Sequence, residues 1–99
     1  MHIEILDSAE ADLLEGVSFY ERQERGLGSY FLDTISSDIE SLRIYGGIHA
    51  KKWGYFRALS KRFPYSIYYK HHNDLIKVFA VLDDRRDPEQ INKRLKDRA

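Results

Sequence analysis

Ninety-nine residues, 11.7 kDa, make one domain, since a chain of this length buries only about two thirds of its unfolded surface. A hydrophobic fraction of 42% with 13% aromatics supports one core and excludes a disordered tail. The absence of cysteine excludes a disulfide framework and thiolate metal sites. The opening MHIEILDSAE carries acid where a signal peptide carries base before an apolar run. No apolar stretch nears the roughly 18 residues of a membrane span, so a soluble, cytoplasmic protein is expected, with no membrane partner.

The net charge of zero conceals segregation. Residues 1–40 hold ten acids against two arginines. Residues 41–73 hold seven bases (Arg43, Lys51, Lys52, Arg57, Lys61, Arg62, Lys70) and no acid. Residues 74–99 hold six acids and seven bases. Such asymmetry points to a charged partner, either nucleic acid or an acidic protein segment.

In chain order, Ile3 and Ile5 alternate with His2 and Glu4, which predicts a short strand over 2–6. Asp7 or Ser8 is placed to cap a helix, and Asp7 with Glu10 has capping-box spacing. Ala9, Leu13, Val17 and Tyr20 follow at helical spacing, and the pattern ends near Arg25 before Gly26 and Gly28. A second helix is predicted from about Ser29 to Tyr45, with the stripe Phe31, Ile35, Ile39 and Leu42 and a stop at Gly46-Gly47. The two helices form an antiparallel hairpin. The period then changes to two, predicting strands over 55–59, 64–72 and 75–82, with turns at Lys61-Arg62 and at His71 to Asp74. Asp87, Pro88 and Gln90 mark the start of a last helix, docked by Ile91 and Leu95.

The order β-α-α-β-β-β-α predicts one α+β domain spanning 1–99, an antiparallel sheet with the helical hairpin packed on one face. Short connections leave no room for the crossovers of a parallel sheet. Phe63, Tyr65, Ile67 and Tyr69 share the covered side of the second meander strand, while Arg62, Ser66, Tyr68 and Lys70 face outward. The opposite sheet face is expected to stay partly open, presenting Tyr68, Lys70, Lys77 and Phe79, a mixture of base and aromatic suited to stacking and phosphate contact.

Three groups are site candidates. Lys51, Lys52, Arg57, Lys61 and Arg62 form a basic groove for a polynucleotide or acidic peptide. Arg85 and Arg86 end the last strand, where arginine can hold a phosphate, although Asp83, Asp84 and Asp87 flank them and local ion pairing explains them as well. The histidines do not converge: His71 and His72 diverge on a strand, and His2 and His49 have no partner at a ligand spacing. Neither a metal site nor a cofactor is expected.

The stretch FRALSKRFPYSIYYKHHNDLIKVFAVLDDRRDPEQINKRL resembles the C-terminal half of RelE/ParE-type toxins of bacterial type II toxin–antitoxin modules, also known as plasmid stabilisation proteins. The matching features are Arg57, then Phe63-Pro64-Tyr65 leading to Ile67 and Tyr69, the strand Ile76–Leu82, and Arg85-Arg86-Asp87-Pro88. Ala9, Asp12-Leu13, Gly28 and Phe31-Leu32 agree in the N-terminal part. The resemblance implies a toxin neutralised by a cognate antitoxin, expected here to be acidic, with a homodimer or a heterotetramer with the antitoxin as the assembly. RelE-like relatives cleave mRNA in the ribosome without metal, and ParE-like relatives inhibit DNA gyrase. This chain departs from the RelE pattern: no aromatic follows Phe79, Asp83 stands where many relatives carry histidine, and the net charge is zero. The ParE-like branch is therefore favoured, with a ribosome-dependent endonuclease and a detoxified relative as alternatives. Were the chain a nuclease, Arg57, Arg62 and Arg86 would stabilise charge and Lys52 would be a candidate base.

Overall fold

Apolar alternation and the 3.6-residue period produce strands and helices largely where they are predicted. In the computed structural model, which describes residues 1–99, the chain runs β1 (His2–Ile5), α1 (Asp7–Gln23), α2 (Leu27–Glu40), α3 (Leu42–Tyr45), β2 (Lys51–Lys52), β3 (Tyr55–Leu59), β4 (Tyr65–His72), β5 (Leu75–Asp83) and α4 (Pro88–Arg98). The additions to the expected order are β2 and the single turn α3. The second helix breaks at Ser41, whose Oγ donates to the Asp38 carbonyl at 2.6 Å and competes with the helix for that acceptor.

The strands form one sheet in the spatial order β1-β5-β4-β3-β2. The meander β3–β5 is antiparallel as expected, but β1 joins β5 in parallel, so the sheet is mixed. No tight turn links β1 to β5, and the hairpin geometry that makes the other pairs antiparallel does not act on it.

One sheet face carries the helical hairpin. Leu13, Tyr20, Phe31, Ile35 and Ile39 pack on Tyr65, Ile67, Tyr69, Ile76, Val78 and Val81. The helices cross closely at Gly28, where a Cβ would lie 2.7 Å from the Val17 carbonyl oxygen. Gly26, with φ of 89°, makes the turn between them. The Glu21 carboxylate closes that turn, accepting from the N–H groups of Gly26 and Gly28 at 3.0 Å.

The opposite face is open only beyond α4, and its centre is covered. Ile91 and Leu95 of α4 cover Tyr55, Tyr68, Ala80 and Leu82. Tyr68, assigned to the exposed side, is fully buried. The cause is that residues 65–69 of β4 are buried on both sides, so a second layer must cover the apolar side left by the hairpin. The Asp87 cap forms as predicted: its carboxylate accepts from Glu89 N–H at 3.0 Å.

A bulge in β5 lets one strand serve both layers. Tyr68 pairs with Ala80 and Tyr69 with Val78, leaving Phe79 extra. Ile76 and Val78 before the bulge and Val81 after it share the hairpin face, whereas Ala80 and Leu82 join the α4 face. A bulge exposes backbone groups that need new partners. Here β1 has already ended, and α1 and α4 supply them. Ser8 Oγ donates to the Phe79 carbonyl at 2.9 Å. The Val81 N–H donates to Asp12 at 3.0 Å. Arg98 donates to both Asp12 oxygens, at 2.5 and 2.9 Å, and to the Phe79 carbonyl at 3.2 Å. Ser8 is thus spent on the bulge, and α1 starts after Leu6 with no side-chain cap, contrary to the Asp7–Glu10 capping box expected.

The Asp12 side chain is 4% exposed and that of Arg98 17%. Removing one member of such a pair strands a buried charge, at a typical cost of about 3–5 kcal/mol. Arg98→Ala is therefore expected to lower the melting temperature by more than about 10 °C, at roughly 4–8 °C per kcal/mol for a domain of this size. Asp12→Ala with Arg98→Ala together should cost less than the sum of the two, measured by urea midpoints in a double-mutant cycle.

Candidate binding surface

The acid-free block runs from α3 through β2 and β3 to the central strand β4, and Lys51, Lys52 and Arg57 gather on the β2–β3 margin of the sheet. Lys51 and Lys52 form β2, joined to β3 by Trp53 and Gly54, whose φ values of 55° and 84° make the tight left-handed turn such hairpins use. Lys52 Nζ stands 4.5 Å from the Trp53 ring and Lys51 Nζ 4.9 Å from the Phe56 ring. The loop before β2 hangs on Tyr69, whose hydroxyl accepts from Gly47 N–H at 2.9 Å and contacts His49 Nδ1 at 2.5 Å. Burial lowers the His49 pKa, which favours the neutral imidazole beside the Tyr69 hydroxyl. His49, Ala50, Lys51, Lys52, Arg57 and Leu59 line an open cavity of about 420 Å³ that contains no acid.

Arg57 is held differently from its neighbours. Its Nε donates to Ser66 Oγ at 3.1 Å and its Nη2 to Asp84 Oδ1 at 3.2 Å, while Ser66 Oγ donates to the same carboxylate oxygen at 2.5 Å. Burial opposes the Arg57 charge, but the Asp84 hydrogen bond and charge outweigh it and raise its pKa. Against this cluster stands the Tyr68 hydroxyl, buried and without a hydrogen-bond partner, its pKa raised by burial against the opposing pull of Arg57. Ser66 and Asp84 were not legible as partners of Arg57. Only the cross-strand register, Arg57 beside Tyr68 and Leu59 beside Ser66, brings them together.

The other cations are also engaged one by one. Arg62 donates to the Tyr30 hydroxyl at 2.6 Å on the wall of a cavity of about 380 Å³ that also holds Asp33, Asp38 and Lys61. Arg85 donates to both Asp83 oxygens, at 3.0 and 2.7 Å, and Arg86 donates to Glu15 of α1 at 3.1 Å. The four catalytic candidates thus meet four separate groups: Arg57 meets Asp84, Arg62 meets Tyr30, Arg86 meets Glu15, and Lys52 meets Trp53.

Of the base-and-aromatic face, the part beyond α4 survives. Lys70, His72, Leu75, Lys77 and Phe79 line a cavity of about 320 Å³. Lys70 Nζ lies 4.9 Å from the Tyr55 ring and 5.2 Å from the Phe79 ring. Tyr68 does not belong to this surface, because α4 covers it.

The hydrogen bonds from Arg85 hold the Asp83 carboxyl below its ordinary value, against the burial that would raise it. A carboxyl with a lower pKa folded than unfolded stabilises the fold above the unfolded value, and that contribution is lost as pH falls through the folded one. Asp83→Asn should therefore flatten the decline of stability below about pH 4, read as urea midpoints across an acid titration. Equal slopes in parent and variant would show that the pair contributes nothing.

No known family profile matches the chain, and no curated protein matches it in sequence. Among solved structures, a chain described as "Chromosomal ParDE TA system from P. aeruginosa" is similar over 82% of this chain and 92% of that one, at a TM-score of 0.70 and 16% identity. No helix is long and apolar enough to cross a membrane. The α+β fold expected from the resemblance to ParE-like toxins is the fold the chain adopts.

Proposed function

We propose that this chain is the toxin of a type II toxin–antitoxin module of the ParE-like kind. It acts by binding a protein target such as DNA gyrase and is silenced by a cognate acidic antitoxin. The likeness in fold to a chain of a ParDE system supports the toxin reading. The observation that carries the choice of mechanism is Arg57. A cation that stabilises a transition state must be free to meet developing charge, and Arg57 is already matched by Asp84. Arg62 and Arg86 meet other groups on other elements, and of the remaining candidates only Lys52 lines the same cavity as Arg57.

A second reading has its own support in the uncovered strip of Lys70, His72, Lys77 and Phe79, whose basic and aromatic character suits single-stranded RNA. On that reading the chain is a metal-independent ribosome-dependent endonuclease: a 2′-hydroxyl of the mRNA loses its proton and attacks the adjacent phosphate, and the P–O5′ bond breaks, leaving a 2′,3′-cyclic phosphate and a protonated 5′-hydroxyl.

Induced expression in a bacterium separates the readings. The ParE-like reading expects growth arrest with an SOS response and gyrase-linked DNA breaks while translation continues. Early loss of translation with cut mRNA would replace it with the nuclease, and unimpaired growth would assign a relative that only binds.

The antitoxin is expected to cover the basic surface around Lys51, Lys52 and Lys61, with Arg57, Lys70, Lys77, Phe79, Arg62, Arg85 and Arg86 at its borders. Long-range attraction between exposed charges is screened within about 10 Å at 0.1 M salt. Binding should therefore weaken by at least tenfold between about 0.05 and 0.5 M salt, and Lys51→Ala with Lys61→Ala should flatten that dependence. Salt-independent affinity would place the antitoxin on another face.

A further inference from the structure

The sheet has an unfinished edge. β2 covers β3 only at Tyr55 and Phe56, and the Arg57 N–H donates to the Ala50 carbonyl at 3.0 Å. Beyond that point β3 continues to Leu59 with no neighbour on its outer side. Residues alternate in the direction of their backbone groups along a strand. Arg57 N–H points outward and Ser60 N–H points back to the Tyr65 carbonyl, so the Leu59 N–H and carbonyl point outward. Leu59 is 60% exposed.

Grooves lie on both sides of this edge, and Leu59 lines each of them. On the hairpin side, Tyr45, Ile48, His49 and Ala58 help to line a cavity of about 210 Å³. Tyr45 is 53% and Ile48 72% exposed, a concentration of apolar surface at one place. On the other side is the cavity of His49, Lys51, Lys52 and Arg57. The one acid lining either groove, Asp38, is occupied by Ser60 Oγ at 2.8 Å.

We infer that this edge is a docking site for a single added β-strand, contributed by an extended acidic segment of the antitoxin, an assignment that rests on the toxin reading above. A strand laid along Leu59 pairs its backbone with the outward N–H and carbonyl, as in strand addition to a sheet edge. Its side chains alternate between the two grooves. Apolar side chains enter the groove of Tyr45, Ile48 and Ala58. Carboxylates on the other side meet Lys51 and Lys52, and Lys61 stands at the wall of the apolar groove; all three lysines are exposed and carry no carboxylate partner. A basic segment is repelled here and a helix cannot offer its backbone, so the geometry selects an acidic, extended occupant.

The test uses the full chain with two probes: the protein encoded beside it, taken as the antitoxin, and a synthetic peptide of alternating Glu and Val. Hydrogen exchange should slow at least tenfold at the Leu59 amide in either complex, with exchange in α1 unchanged. Leu59→Pro removes the outward donor without touching the ladder to β4, because edge strands tolerate proline where the N–H faces out. It should weaken binding of both probes at least tenfold, and Leu59→Ala should weaken it less. If the proline variant fails to melt cooperatively, exchange in the parent chain decides. An antitoxin that binds while the Leu59 amide exchanges as in the free chain overturns the docking site and leaves the toxin reading standing. A neighbouring protein that does not bind overturns that reading; the peptide then decides the edge, protection at Leu59 upholding it as an acceptor of acidic strands and unchanged exchange overturning it.

Discussion

The architecture depends on how one buried carboxylate is satisfied. Asp12 accepts the Val81 N–H that the β5 bulge leaves unpaired, and Arg98 neutralises it with two hydrogen bonds. The first turns of α1, the centre of β5 and the end of α4 therefore meet at one place. Without that meeting the bulge would leave the Phe79 carbonyl and the Val81 N–H facing an apolar interior, a cost of about 1–3 kcal/mol for each unsatisfied group. With it, β5 can present Ile76, Val78 and Val81 to one layer and Ala80 and Leu82 to the other.

Two-sided burial has a consequence for the charges. Because α4 occupies the second face, cations on that face are neutralised from within or pushed to its margins. Arg57, paired in register with Tyr68 beneath α4, is matched by Asp84 and Ser66. Lys51, Lys52 and Lys70 lie farther out, where aromatic rings rather than carboxylates approach them. Cations held against aromatic faces keep their charge available to a partner, whereas a cation in a carboxylate pair does not. The surface with binding potential is therefore the sheet margin, while the centre of the second face is structural.

The same logic separates the chain's acids from its bases. Apart from buried Asp12 and half-buried Asp38, the acids of α1 and α2 face solvent or close local turns, as Glu21 does for the start of α2. The basic segment that follows forms the margin beyond them, where β2 is only two residues long and β3 outruns it. A short, lysine-bearing edge strand protects a sheet from indiscriminate pairing, and β2 does so at Tyr55 and Phe56 of β3. The remainder at Leu59 stays open to a strand that brings opposite charge.

Local patterning was sufficient for most elements. The helical stripes of Ala9, Leu13 and Tyr20 and of Phe31, Ile35 and Ile39, the alternation of Tyr65, Ile67 and Tyr69, and the Asp87-Pro88 start signal depend on near neighbours, and each element forms. The acid-free block was equally legible, because charge is counted along the chain. What local pattern could not convey was register and the second layer. Strict alternation in Ile76–Leu82 assigns Val78 and Ala80 to one face, and only pairing with β4 reveals the extra residue that separates them. Ser8 has the spacing of a cap but is drawn to the Phe79 carbonyl 71 residues away. Tyr68 has the outward parity of a surface residue but lies beneath Ile91 and Leu95. Asp12, Ser66 and Asp84 carry no motif of their own, and their roles arise because distant segments converge on them. Sequence by itself determined which segments are helix or strand and where the charge lies, since both follow from neighbours in the chain. The bulge, the α4 layer and the unfinished edge at Leu59 were decided by tertiary structure, because each depends on which backbone groups find a partner once the sheet has closed.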